Sequence, residues 1–174
     1  MVDAFAVWLT GLPASGKSTI ARELARSLSA RSLPLEVLES DVARTSLTPE
    51  ARYDEREREL FYRALAFTAS RLVAHGVVVI IDATANRRAY RDQGRAWIPR
   101  LLEVWIDTPL EVCAARDPKG LYRRSAVGEV GSLPGVGATY EPPLKPDLVI
   151  DGAHIAAAIA AEQIESALEA RGWL

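Results

Sequence analysis

Cysteine is almost missing from this chain: Cys113 stands alone in 174 residues. One thiol excludes an internal disulfide framework and suits a reducing, cytoplasmic setting. Histidine is nearly as scarce, at two residues. His75 falls in the last turn of a predicted helix, where a cation suits the dipole, and neither it nor His154 is assigned to catalysis. Charge of one sign is also lacking, with 21 Lys and Arg against 23 Asp and Glu and a net charge of −2. That balance argues against a surface built to embrace nucleic acid. The sequence has no signal-peptide pattern and no apolar run of membrane-spanning length, so no membrane partner is expected. It has no internal repeat either, which excludes a solenoid. The length suits one domain over residues 1–174, with nothing expected to precede its first strand.

The stretch Gly11-Leu12-Pro13-Ala14-Ser15-Gly16-Lys17-Ser18 fits G-x-x-x-x-G-K-[ST] at every fixed position. Its flanks fit as well. Phe5-Ala6-Val7-Trp8-Leu9 is an apolar run of strand length, and residues 19–28 carry apolar side chains at helical spacing. Strand, glycine-rich turn and helix are the context this motif needs to bind a nucleoside triphosphate. Backbone N–H groups of Gly11, Ala14, Ser15, Gly16, Lys17, Ser18 and Thr19 can converge on phosphate oxygens, and the helix adds its positive end. Lys17 is expected to reach the β- and γ-phosphates, and the Ser18 hydroxyl to help hold Mg²⁺.

Further along, Leu35-Glu36-Val37-Leu38 predicts a short strand that ends at Glu39-Ser40-Asp41. An acidic residue there lies where parallel sheets place their ligands, so Asp41 is a candidate base, although a helix N-cap would also explain it. The charged stretch from Pro49 to Arg63 reads as a largely solvated helix, with Tyr53, Arg58 and Phe61 uncomfortable on a pure surface. It continues to Gly76, a predicted C-terminal stop. Val77-Val78-Val79-Ile80-Ile81 predicts a strand buried on both faces. The next residue, Asp82, could orient a Mg²⁺ shell through water or cap the following turn. Residues 101–106 predict a fourth strand, Pro109 a first helical position, and Leu148-Val149-Ile150 a last strand. Between them, 117–146 lose periodicity and fill with Gly and Pro, as an active-site lid does. A helix is expected over 153–171. Alternating strands and helices make this an α/β fold, a three-layer α/β/α sandwich on a five-stranded parallel sheet of open strand order.

From Trp8 to Asp151 the chain resembles the adenylylsulfate kinase (APS kinase) family. The resemblance rests on residues 104–113, Arg116-Asp117-Pro118-Lys119-Gly120-Leu121-Tyr122, Gly128-Glu129, Pro134-Gly135-Val136 and Tyr140-Glu141-Pro142-Pro143, in that order. It implies a P-loop NTPase kinase fold with a lid. The implied activity is transfer of the ATP γ-phosphate to the 3′-hydroxyl of adenosine 5′-phosphosulfate (APS), giving PAPS and ADP. ATP and Mg²⁺ are the implied cofactors, and a homodimer is implied too. By the same resemblance Asp41 activates the acceptor hydroxyl, Arg44 and Arg58 contact the substrate, Tyr53 stacks on its adenine, and Lys119 reaches in from the lid. Anionic groups want arginine forks and adenine wants a flat π-face, so each role is physically sound.

The departures from the family pattern are specific. Glu39-Ser40-Asp41 replaces Asp-Gly-Asp, Phe61 replaces an asparagine, and Thr84-Ala85-Asn86-Arg87 replaces Ile-Ser-Pro-Tyr. Ala85 thus stands where the family has a serine. Leu133 stands where a lid aromatic would complete the adenine site. Asp82-Ala83-Thr84 with Asn86 is more similar to polynucleotide-kinase-type enzymes. Two alternatives therefore stay open: a kinase of the same family with another small nucleotide-linked acceptor, or a nucleotide switch without turnover. The second draws on two GTPase-like fragments, Asp117-Pro118-Lys119-Gly120 and Lys145-Pro146-Asp147. Against it, Asp117 follows a helix and Leu144 replaces the guanine-reading asparagine.

Overall fold

The strands of the computed structural model, which describes residues 4–174, are the apolar runs of the sequence. β1 (Ala6–Thr10) and β3 (Val78–Asp82) are buried along their whole length, as strands covered on both faces must be. With β2 (Leu35–Glu39), β4 (Leu101–Asp107) and β5 (Leu148–Asp151) they form one sheet in the order β2-β3-β1-β4-β5. Every neighbouring pair is parallel. The crossover leaving β1 runs toward one edge of the sheet and the crossover leaving β3 toward the other. The carboxyl ends of these two central strands therefore flank the crevice where parallel sheets bind ligands.

Side chains alternate across the sheet with period two, and each face has its own core. On one face Val7, Leu9, Ile80, Val104 and Ile106 meet Ile20, Leu24 and Leu28 of α1 (Lys17–Ala30) and Ile164 and Leu168 of α7 (Ala157–Glu169). On the other, Ala6, Trp8, Val79 and Ile81 meet Phe61, Tyr62 and Leu65 of α3 (Glu55–Ala74) and Tyr90 of α4 (Arg88–Trp97). This is the expected three-layer α/β/α sandwich. No helix among the described residues is long and apolar enough to cross a membrane.

Several boundaries move, each for a local reason. Helix α3 starts at Glu55 because the Asp54 carboxylate accepts the Glu57 N–H at 2.8 Å, capping a turn that could not begin at Pro49. It ends where the sequence predicts. Gly76 has φ 83°, its N–H bonds the Val73 carbonyl, and the Val77 N–H reaches Leu72, a Schellman stop. Pro109 precedes α5 (Leu110–Arg116) with an extended ψ of 142° instead of opening it. The Asp151 carboxylate binds the backbone N–H groups of Ala153 and His154 and holds a turn, which delays the last helix to Ala157. Residues 117–146 are not all irregular, since α6 (Leu121–Ala126) forms within them. Tyr122 and Leu133 of this region bury themselves with Cys113 in a third, small core against Leu12 and Ala14.

Candidate active site

The turn after β1 is shaped by backbone that ordinary residues avoid. Ala14 has φ 62° and Gly16 φ 108°. At Gly11 an added Cβ would stand 2.6 Å from the Ile106 carbonyl oxygen and 2.8 Å from Ser15 Oγ, so only glycine fits. The far side of the turn is braced by the sheet: Thr108 Oγ1 donates to the Ser15 carbonyl at 3.0 Å. Ser15 is buried, whereas Ser18 and Thr19 are exposed in the first turn of α1. Lys17 is buried, with its ammonium donating to the Gly11 carbonyl at 3.1 Å, the Leu12 carbonyl at 2.7 Å and Ser15 Oγ at 3.4 Å. Burial pushes its pKa below the usual lysine value, and the carboxylates of Asp82 and Asp41 pull the other way.

Asp82 is the last residue of β3 and is buried. The segment after it is tied down from β1: Trp8 Nε1 donates to the Ala83 carbonyl at 3.1 Å and Thr10 Oγ1 to the Thr84 carbonyl at 2.7 Å. Helix α4 has Arg87 at its N-cap, so Asp82 does not serve there. Ala85 is fully buried, and its carbonyl accepts from Arg91 Nη1.

Asp41 sits in the first turn of α2 (Ser40–Leu47), whose N-cap is Glu39; capping does not explain its place. Its carboxylate pairs with Lys119 of the lid. That hydrogen bond raises the Lys119 pKa above its ordinary value. One turn on, Arg44 is buried and its Nη1 donates to Glu57 Oε1 at 3.0 Å. Its guanidinium lies over three rings, with centroids 3.9 Å away at Phe61, 4.8 Å at Tyr53 and 5.8 Å at Tyr62. Tyr53 has φ 57° and its carbonyl accepts from Arg58 Nε at 2.8 Å. Arg58 is buried too, and it joins α3 to the lid through the Ser132 carbonyl and to the β3 end through Asn86 Oδ1 at 3.5 Å. Lys17 and Lys119 both feel the Asp41 and Asp82 carboxylates, while Arg44 and Arg58 gather around the Tyr53 ring in a second cluster between α2 and α3. Leu133 is placed differently. Its side chain is buried in the small core with Cys113 and Tyr122.

Four residues that hold the site together were not singled out from the sequence. Glu57 falls in a stretch that reads as a solvated helix face, yet it grips Arg44 and accepts the Arg52 backbone N–H at 2.6 Å. The spacing Asp54-x-x-Glu57, a capping-box pattern, was its available signal. Tyr122 donates to the Pro13 carbonyl at 2.9 Å and so fastens α6 to the phosphate turn. Tyr140 lies 3.1 Å from Thr10 Oγ1, and burial pushes its pKa up to about 12. Arg91 is fully buried, and it links Glu103 at 2.8 Å to the Ala85 and Glu141 carbonyls. Nothing in a single sequence marks these last three as tethers, because Tyr122, Tyr140 and Arg91 each reach a partner 50 or more residues away.

The GTPase-like fragments are structural. Asp117 accepts the backbone N–H groups of Tyr122 at 3.1 Å and Arg123 at 3.0 Å, capping α6. Asp147 accepts from the Glu103 N–H at 2.8 Å, Arg95 at 2.9 Å and Arg171 at 3.2 Å. Among the described residues no group of three or more His, Cys, Asp or Glu side chains could hold a metal by itself.

The family model for adenylylsulphate kinase matches residues 3–151. The adenylyl-sulfate kinase of Gloeothece citriformis is 42% identical over 142 residues, 82% of this chain and 81% of that protein. That of Synechococcus sp. (strain JA-2-3B'a(2-13)) is 38% identical over 97% of this chain and 96% of its own. The fold superimposes on the Mycobacterium tuberculosis APS kinase in complex with AMPPNP and APS with a TM-score of 0.92, at 30% identity over 97% and 99% of the two chains. A phosphate turn braced by the sheet, a buried lysine beside two carboxylates and an arginine-lined wall under a lid agree with these likenesses, and the chain belongs to the adenylylsulphate kinase family.

Proposed function

We propose that this protein transfers the γ-phosphate of ATP to the 3′-hydroxyl of adenosine 5′-phosphosulfate, yielding PAPS and ADP. The observation that supports the reading is the charge cluster at the strand ends: Lys17 is buried within reach of the Asp82 and Asp41 carboxylates, and Asp41 opens the helix that carries the buried Arg44 one turn on. Backbone N–H groups from Gly11 to Thr19 hold the phosphates, and Lys17 moves from its loop carbonyls onto the transferred group. Asp41 takes the proton from the attacking hydroxyl, and Lys119 follows the lid to the acceptor once that pair opens. Arg44 and Arg58 fix the phosphosulfate and Tyr53 stacks on adenine. Mg²⁺ would be held by Ser18, by the phosphates and, through water, by Asp82, and it would neutralise charge on the phosphates. The residues fit such an ion, since Mg²⁺ in kinases uses one or two carboxylates and substrate oxygens in place of an all-protein cage. A cytoplasmic location and a homodimer belong to the same proposal. Phe67 and Trp97, packed edge to face at 6.3 Å and part-exposed, are an apolar surface that such a dimer could cover.

The test is ADP release with ATP and Mg²⁺, with and without APS, the product checked by mass. Strong stimulation with PAPS formed is the expected result. Tight ATP binding without stimulation would refute it and point to another acceptor. Sedimentation of wild type and Phe67→Asp tests the dimer; identical behaviour of the two would discard that surface.

A further inference from the structure

Phe61 stands where the family pattern that the sequence resembles has an asparagine, and its ring lies against Arg44. The ring is almost fully buried and lies edge to face with Tyr62 at 5.3 Å, which in turn stacks on Tyr90 at 5.0 Å. Its position is therefore set by the core under α3, not by solvent. Glu57 and Phe61 are four residues apart and share one helix face. Together they grip Arg44 from two directions. The Glu57 carboxylate and Thr48 Oγ1 take Nη1 at 3.0 and 3.4 Å, while the Phe61 ring takes the guanidinium at 3.9 Å from its centroid. A ring holds a cation by its π-cloud and uses none of its N–H donors. A polar side chain at 61 would compete for those donors.

We propose that Phe61 is a positioning residue that holds Arg44 by cation–π contact, so that donors beyond Nη1 stay available to the anionic group of the acceptor. The inference rests on the reading of Arg44 as an acceptor-binding residue. It makes Phe61 a determinant of acceptor affinity that never touches the acceptor.

The experiment replaces Phe61 by phenylalanines carrying one, two and three ring fluorines. Fluorination keeps the shape while draining the ring's negative face, so the fold is preserved. KM for APS is expected to climb with each fluorine, with KM for ATP unchanged. Phe61→Leu is expected to raise KM for APS about tenfold while kcat changes little. In an Arg44→Ala background Phe61→Leu should add nothing. A flat KM through the fluorinated series, or full additivity with Arg44→Ala, overturns the proposal. If Arg44→Ala itself leaves KM for APS unchanged, the role given to Arg44 is wrong, a failure distinct from a flat series. Absence of any APS-dependent turnover in the wild type overturns both.

Discussion

Replacing Gly94 by alanine sets two effects of known size against each other at the floor of the site. Gly94 lies inside α4, where alanine would favour an open helix by ~1 kcal/mol. Here an added Cβ would stand 2.6 Å from Cζ3 and 3.0 Å from Cε3 of Trp8. Trp8 is fully buried and its indole nitrogen is tied to the Ala83 carbonyl, so the ring cannot swing away. Carbon–carbon contacts settle at about 3.5–4.0 Å, so ring or helix must retreat by roughly 1 Å. Overpacking of this kind costs ~1–3 kcal/mol. The difference is a net loss of ~0–2 kcal/mol, and in a chain of this size that lowers Tm by up to ~8 °C. Thermal melts followed by far-UV circular dichroism read it directly. Trp8→Phe is the matched control: with the larger ring gone, Gly94→Ala should become neutral or stabilising by up to ~1 kcal/mol, a clear non-additivity. A higher Tm for Gly94→Ala alone would refute the packing argument.

Other outcomes can be checked with the same preparations. Asp41→Ala should lower turnover at least a hundredfold, on the scale of about 10²–10⁴ for general-base loss, and leave ATP affinity within twofold; wild-type turnover would remove Asp41 from the proposed role. Lys17→Ala should abolish ATP-dependent transfer, read by ADP release. Because burial lowers the Lys17 pKa, the folded protein binds fewer protons than the unfolded chain between that lowered value and 10.5, and this term favours folding more as pH rises through that window. Nucleotide phosphates restore the charged form, so ATP binding should take up protons at alkaline pH; titration calorimetry in buffers of different ionisation enthalpy would show release or no transfer if the reasoning is wrong. Tyr122→Phe leaves the Pro13 carbonyl without its donor and should weaken ATP binding by ~1 kcal/mol, about fivefold. Equal nucleotide affinity for the two proteins would argue that α6 does not support the phosphate turn.

Local chemistry made much of this architecture legible in advance. The β-branched run before Asp82 declared a central strand, and the glycines and Lys17 declared the phosphate turn, because both depend on neighbours in sequence. The strand order did not show, since it depends on which way each crossover turns and no periodic pattern records that. Likewise Asp41, Arg44, Tyr53 and Arg58 stood out as residues, but their arrangement did not. The resemblance gives Arg44 a substrate contact but not the rings that hold its guanidinium, and the charged stretch around Glu57 reads as solvated although Glu57 is the counter-ion of Arg44. Leu133 looked like a wall of the adenine site because it fills an aromatic's place in the chain. Its burial with Cys113 depends on α6, a helix of six residues too short to announce itself.

The lid is fastened at both ends to the donor half of the cleft: Tyr122 to Pro13 at its start, Tyr140 beside Thr10 and Glu141 to Arg91 at its end. Its links to the acceptor wall, Lys119 with Asp41 and Arg58 with Ser132, lie outside the Tyr140–Glu141 tether and fall on different residues from the Tyr122 anchor. Between those anchors the lid also touches the phosphate turn, because Leu133 packs against Leu12 and Ala14. A graft of residues 123–138 from a relative would therefore have to keep an apolar side chain at 133 and glycine at 135, where an added Cβ would meet Leu12 at 2.8 Å, for the phosphate turn to stay as it is. Within those limits the segment between the anchors is an exchangeable cassette.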